Sequence, residues 1–168
     1  MFSGKTEKLI ERLHAAVSSG QIVAAFKPEL DSRYSSNDIV SHSRRAFPAT
    51  SIDVNQRIWL GHVCATHDLV GIDEVQFFGP WIVDEVSNLL VRGIDVVVSG
   101  LDLTFKGEPF GSVPQLLCLA DEIHKLGATC AKCGKPANRS QRTVESSDAV
   151  LVGGEEAYEP RCLGCFQR

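Results

Sequence analysis

Three short apolar runs punctuate this chain: "QIVAAFKP" at 21–28, "HDLVGIDE" at 67–74 and "IDVVVSG" at 94–100. Near-continuous apolar character, instead of alternation with polar residues, marks strands covered on both faces, and strands reached through helices run parallel. A helix-length segment precedes each run. In the first, Leu9, Leu13, Ala16 and Val17 recur at helical spacing after Lys5, Ile10 widens the stripe, and Ser18, Ser19 and Gly20 end it. A second helix is predicted over about 54–64, a third through "WIVDEVSNLLVRG" at 81–93, and a fourth through "PQLLCLADEIHKL" at 114–126 with Pro114 in its tolerant first turn. "DSRYSSND" at 31–38 and "TFKGEPFGSV" at 104–113 read as loops. The expected fold is α/β, a parallel sheet with helices on both faces, whose ligands gather at the carboxyl ends of the strands.

The chain has 168 residues, 43% hydrophobic and 23% charged, which suits one ordinary domain with a small appendage. Composition shifts at Cys130, beyond which Cys, Gly, Lys and Arg are dense, so a sheet domain over 1–129 and a small lobe over 130–168 are expected. A net charge of -4 offers nucleic acid or an anionic membrane no general attraction. Neither a signal-like start nor an apolar run near the roughly 20 residues of a membrane span is present in the sequence, and a cytoplasmic location is expected.

Gly4, Lys5 and Thr6 match the second half of a phosphate-binding loop, with Ser3 before them, at a predicted helix start. Backbone N–H groups there point at an anion and the helix dipole favours negative charge; Lys5 would reach outer phosphates and Thr6 a magnesium ion. The bare tetrapeptide also fits an ordinary exposed helix start. In "VGIDEVQFF", Asp73 ends a buried strand where a carboxylate would hold magnesium beside a triphosphate. Its neighbour Glu74 can accept a proton from an attacking hydroxyl. In "FKPELDSRYS", Arg33 would neutralise charge on a transferring phosphoryl group and Asp31 would assist magnesium or hold Arg33; a local surface ion pair fits these two equally well.

Cys130-x-x-Cys133 and Cys162-x-x-Cys165 supply four thiolates, the closed set of a structural zinc site. Cys64 and Cys118 lie on apolar helical stretches and read as core residues.

Taken in order, "MFSGKT", "FKPELDSRYS", Ser41 with His42, "IDEVQFF", "SGLDLTFKGEPFG", "LADEIHKLGATCAKCGKPANRSQR" and "VLVGGEEAYEPRCLGC" resemble the zinc-containing (type II) thymidine kinase family across nearly the whole chain. The resemblance implies a RecA-like P-loop domain with a zinc-ribbon-like lobe, magnesium-dependent transfer of the ATP γ-phosphate to the 5′-hydroxyl of thymidine, and a homotetramer. It makes Glu74 the general base, Lys5 and Thr6 the phosphate and magnesium residues, and Asp73 and Gln76 part of the nucleotide site. Around the nucleoside it places Met1, Phe77, Leu101, Phe105 and Phe110. It makes "VLVGGEEAY" a lasso over the base, with main-chain groups near Leu151 and Gly153 on the thymine edge and Tyr158 against the sugar. Ser140 stands where the family usually has threonine, and Ser43, Arg44 and Arg45 stand where Asp-Gly is usual.

The family's first strand and first loop glycine would lie upstream of Met1, and a start placed too far downstream is expected in preference to a fragment or a decayed gene. Two alternatives stay open: a kinase for another deoxynucleoside such as deoxyuridine, and a catalytically impaired zinc module that binds nucleotides.

Overall fold

The computed structural model describes residues 2–30, 37–145, 151, 153, 154 and 156–167. Helix α1 (Lys5–Ser18) begins where Gly4 turns left-handed at φ 74°, and it buries Leu9, Ile10, Leu13 and Ala16 on one stripe. Strand β1 (Val23–Pro28) follows, then a hairpin of β2 (Asp38–Val40) and β3 (Ala46–Pro48), then β4 (Thr50–Ile52). Next come α2 (Leu60–Val63), β5 (Leu69–Ile72), a 3-10 turn (Val75–Phe77), α3 (Trp81–Val91), β6 (Asp95–Val98) and α4 (Val113–Leu119). The short strands β7 (Ala128–Thr129), β8 (Pro136–Ala137), β9 (Arg139–Arg142) and β10 (Tyr158–Arg161) complete the chain as two antiparallel pairs.

The main sheet is parallel with order β4-β1-β5-β6, so β1, β5 and β6 open their carboxyl ends on one rim. Side chains alternate across it as strand geometry demands. Ala25 and Leu69 join the α1 stripe, Ile39 and Phe47 on one face. Phe26, Val70 and Ile72 pack with Ile82, Val86, Leu89 and Leu116 of α3 and α4 on the other. Helices therefore cover both faces, as the apolar runs require. Gly71 sets the depth of one contact: a Cβ there would stand 2.7 Å from Leu13 Cδ2, so its absence lets α1 lie close against β5.

Two helices are shorter than their apolar spacing predicts. Over 54–64 only Leu60–Val63 is helical. Asp53 accepts from the Asn55 amide at 2.9 Å and folds its own turn, while the buried carboxylate of Glu85 caps the Leu60 amide at 2.9 Å and binds Arg57 at 3.0 Å. That carboxylate, 1% exposed, is tolerated because charged and backbone donors surround it. Over 114–126 the helix ends at Leu119, and Ala120 is extended. Residues 120–125 are exposed, Ile123 included, and helical spacing without a surface to bury against does not hold a helix. Cys118 is consequently exposed and not a core residue, since the buried face of α4 is Val113 and Leu116. Cys64 is fully buried, and burial pushes its thiol up to about 11.

The residues that depart from the family pattern after His42 join the hairpin to α1. Ser43 donates to Glu7 at 2.9 Å and Arg45 to Glu11 at 2.8 Å. Among the described residues no helix is long and apolar enough to cross a membrane.

Candidate active site

Two segments meet at the rim. The first turn of α1 presents Gly4, Lys5 and Thr6, preceded by Phe2 and Ser3; Phe2 and Gly4 both have left-handed backbones, at φ 59° and 74°. The end of β5 presents Asp73 and Glu74. Thr6 Oγ1 donates to Asp73 Oδ2 at 3.1 Å, and the Glu74 amide donates to Asp73 Oδ1 at 3.0 Å. Asp73 is only 3% exposed. Burial first, then the charge on Glu74, pushes its carboxyl up to about 7, against the opposing pull of Ser99, the Glu74 amide and, least, the Lys5 ammonium. A buried carboxylate beside a hydroxyl and a lysine at a helix start is a donor set that suits a magnesium ion on a phosphate chain.

Glu74 takes a left-handed backbone, φ 49°, rare for a residue with a side chain and common at active sites. That turn points the chain into the 3-10 segment and brings Gln76 back beneath it. Gln76, 3% exposed, donates through Nε2 to Glu74 Oε2 and accepts the Leu101 amide on Oε1 at 3.0 Å. Its amide thus joins the carboxylate at the end of β5 to the loop that follows β6. Two glycines make room for it: a Cβ on Gly100 would lie 2.8 Å from Gln76 Oε1, and one on Gly111, at φ 51°, would lie 2.6 Å from the Gln76 carbonyl.

The four cysteines converge as expected, with all their sulfurs within 4.8 Å of one another and Cys133 Sγ 3.6 Å from Cys162 Sγ. Tetrahedral zinc with Zn–S bonds of about 2.3 Å separates its sulfurs by about 3.8 Å, so the set fits the ion. Backbone donors, the Cys162 amide foremost, bring the Cys130 thiol down to about 6, while hydrogen bonds to the Cys133 and Cys162 sulfurs push Cys165 up to about 12. The cluster is compatible with a structural zinc ion.

The family model for thymidine kinase matches residues 1–166. The thymidine kinase of Bacteroides fragilis (strain YCH46) is 46% identical over 168 residues, all of this chain and 83% of that protein. The thymidine kinase of Rhodothermus sp. (strain ITI 518) is 46% identical over 167 residues, 99% of this chain and 78% of that protein. The chain belongs to the thymidine kinase family.

In this thymidine kinase family member the expected nucleoside residues fall into two groups. Phe77 and Phe110 meet edge to face with centroids 5.8 Å apart, and the Leu101 amide is bonded to Gln76, the neighbour of Phe77. Phe105 sits on the same loop, closed by the pairing of Leu103 with Pro109 and the 2.8 Å bond from the Thr104 amide to the Glu108 carbonyl. The second group is on β9 and β10: Ser140 is buried opposite Pro160, and buried Tyr158 donates to the Leu151 carbonyl at 2.8 Å. Gly153 lies beside them, where a Cβ would stand 3.0 Å from Ala157. Met1, Asp31 and Arg33 lie outside the described residues.

Sequence reasoning overlooked Arg142, whose guanidinium carbon lies 3.7 Å from the Phe105 ring centre. Only the antiparallel register that sets Arg142 opposite Tyr158 reveals it, and a connection as long as that between β9 and β10 does not fix a register by itself.

Proposed function

We propose that the chain transfers the γ-phosphoryl group of ATP to the 5′-hydroxyl of thymidine, with Glu74 as general base. The observation that carries this reading is the joining of Thr6 to Asp73 at 3.1 Å, which puts the anion-binding helix start and the acid pair on one rim. Gly4 and the amides of the first turn hold phosphate oxygens, Lys5 neutralises them, and Glu74 accepts the nucleoside proton as the oxygen attacks. Thr6 and Asp73 would hold a magnesium ion, which would supply positive charge to the phosphate chain. Gln76 orients Glu74 and the Leu101 segment.

Phe77, Leu101, Phe105 and Phe110 line the nucleoside side, with Met1 joining them. Leu151, Gly153, Tyr158 and Ser140 close over the base, with main-chain groups reading its edge. Zinc on Cys130, Cys133, Cys162 and Cys165 anchors that closing segment, so that residues 130–168 act as a lobe on a domain formed by 1–129. Asp31 and Arg33 belong to the phosphate side. A homotetramer in the cytoplasm completes the reading, with no nucleic acid or membrane partner.

The test is a coupled ATP assay of wild type and Glu74→Gln on thymidine and deoxyuridine. Thymidine turnover that falls about 10² to 10⁴-fold in the variant, with both KM values little changed, is expected. Equal turnover in wild type and variant removes Glu74 from its role, and no thymidine turnover in the wild type ends the proposal.

A further inference from the structure

One side chain of the lobe reaches a loop of the sheet domain. Arg142 leaves β9 with its guanidinium carbon 3.7 Å from the centre of the Phe105 ring, on the loop that follows β6. The same group donates through Nη2 to the Tyr158 hydroxyl at 3.3 Å, and that hydroxyl donates onward to the Leu151 carbonyl at 2.8 Å. Register explains the second contact, since Arg142 and Tyr158 are cross-strand partners on one face of the β9/β10 pair. The Phe166 ring also approaches the loop that follows β6, where a Cβ on Gly107 would come 3.3 Å from it.

We propose that Arg142 is a positioning residue for the nucleoside pocket, clamping Phe105 of the sheet domain and Tyr158 of the lobe in one fixed arrangement. The proposal rests on the thymidine kinase reading above for the identity of the nucleoside. Its chemistry belongs to guanidinium in particular. A flat, delocalised cation lays its face on an aromatic ring while the N–H groups in its plane stay free to donate sideways. An ammonium offers a point charge and cannot do both from one place. Of the residues placed around the nucleoside, Phe105 and Tyr158 are held directly by Arg142 and the Leu151 carbonyl at one remove. Losing the guanidinium therefore loosens the nucleoside side while leaving the phosphate side, with Thr6 and Asp73 on the rim of the sheet, intact.

The experiment compares Arg142→Met and Arg142→Lys in the zinc-loaded full chain. In R142M the thymidine KM is expected to rise at least tenfold, with the ATP KM within twofold of wild type; R142K is expected to follow R142M, because charge without the plane does not restore the clamp. In a Phe105→Leu background, R142M is expected to add less than twofold. A thymidine KM unchanged in R142M, equal rises in both KM values, or wild-type behaviour in R142K overturns the proposal. R142K, the milder change, carries the same cycle with F105L should R142M not accumulate as folded protein. Amide exchange of the ligand-free protein decides the clamp without any substrate. R142M is expected to speed exchange at 101–111 and 156–161 while α1 and β5 keep their protection, and unchanged exchange overturns the clamp. Wild-type protein with no thymidine turnover counts against the proposed function alone, because the exchange measurement still decides what Arg142 holds.

Discussion

Thr6 and Asp73, 67 positions apart in sequence, are joined by a 3.1 Å hydrogen bond that brings the first turn of α1 to the end of β5. A helix start able to hold an anion and a buried carboxylate able to hold its counter-cation thereby share one rim.

Asp73 should make the metal-free protein less stable as pH rises. Unfolded, the carboxyl titrates near 3.8; folded, it keeps its proton up to about 7. Between those values the folded state binds the extra proton, so stability is lost through that window and the loss is complete above it, to an extent of at most about 4 kcal/mol. Asp73→Asn removes the charge, keeps one acceptor oxygen, for the Glu74 amide, and sets its NH2 against the Thr6 hydroxyl, which can turn to accept. Its melting temperature should pull ahead of wild type as pH climbs through the window and the gap should then stay level, measured by thermal unfolding in chelator.

Gln76 should reveal itself in the pH–rate profile. Replacing it with Glu retains an acceptor for the Leu101 amide but sets a like charge against Glu74. The acid limb of the kcat profile should shift upward by about one unit in Q76E. A profile that only falls in height, with its limbs in place, would mean that Gln76 serves packing alone.

Zinc should be structural. One ion per chain is expected by elemental analysis, and its removal by a strong chelator should melt the segment that holds β7 to β10, seen as lost amide protection there. Zinc supplies about 10 to 16 kcal/mol of apparent binding energy in small modules, well beyond what two short strand pairs provide alone. Cys162→Ser should reproduce the chelated state, and thymidine binding should weaken more than ATP binding.

Gly71 should be intolerant of a methyl group. With Leu13 Cδ2 only 2.7 Å from the position of a Cβ, Gly71→Ala forces the buried Leu13 side chain to shift and should cost about 1 to 3 kcal/mol in denaturant unfolding. Leu13→Ala should be costly by itself, yet the double variant should cost less than the sum by at least about 0.5 kcal/mol, the mark of two groups in contact.

Much of this was legible in the chain because it rests on local signals. Apolar runs gave β1, β5 and β6, although β6, on the edge of the sheet, is half-buried to exposed and not buried as expected; helical spacing gave α1 and α3, and cysteine spacing gave the four-sulfur cluster. The misreadings have physical causes. Strands of three residues, such as β2, β3 and β4, are too short for periodicity to register. The false length of α2 came from ignoring Asp53, whose carboxylate prefers its own turn, and from the remote cap that Glu85 supplies. At the site, the motif residues were visible as types, but the bond from Gln76 to Leu101 and the stack of Arg142 on Phe105 are long-range contacts that no window of sequence contains.

Main chain meets main chain where Gly111 crosses over Gln76, closer than any side chain would permit. For an engineer wishing to admit bulkier nucleoside analogues, this divides the loop into fixed and variable ground. Randomising position 100 or 111 would yield mostly unfolded clones, whereas Leu101, Phe105 and Phe110, hung from that hinge, are where a library can reshape the cavity without dismantling its wall.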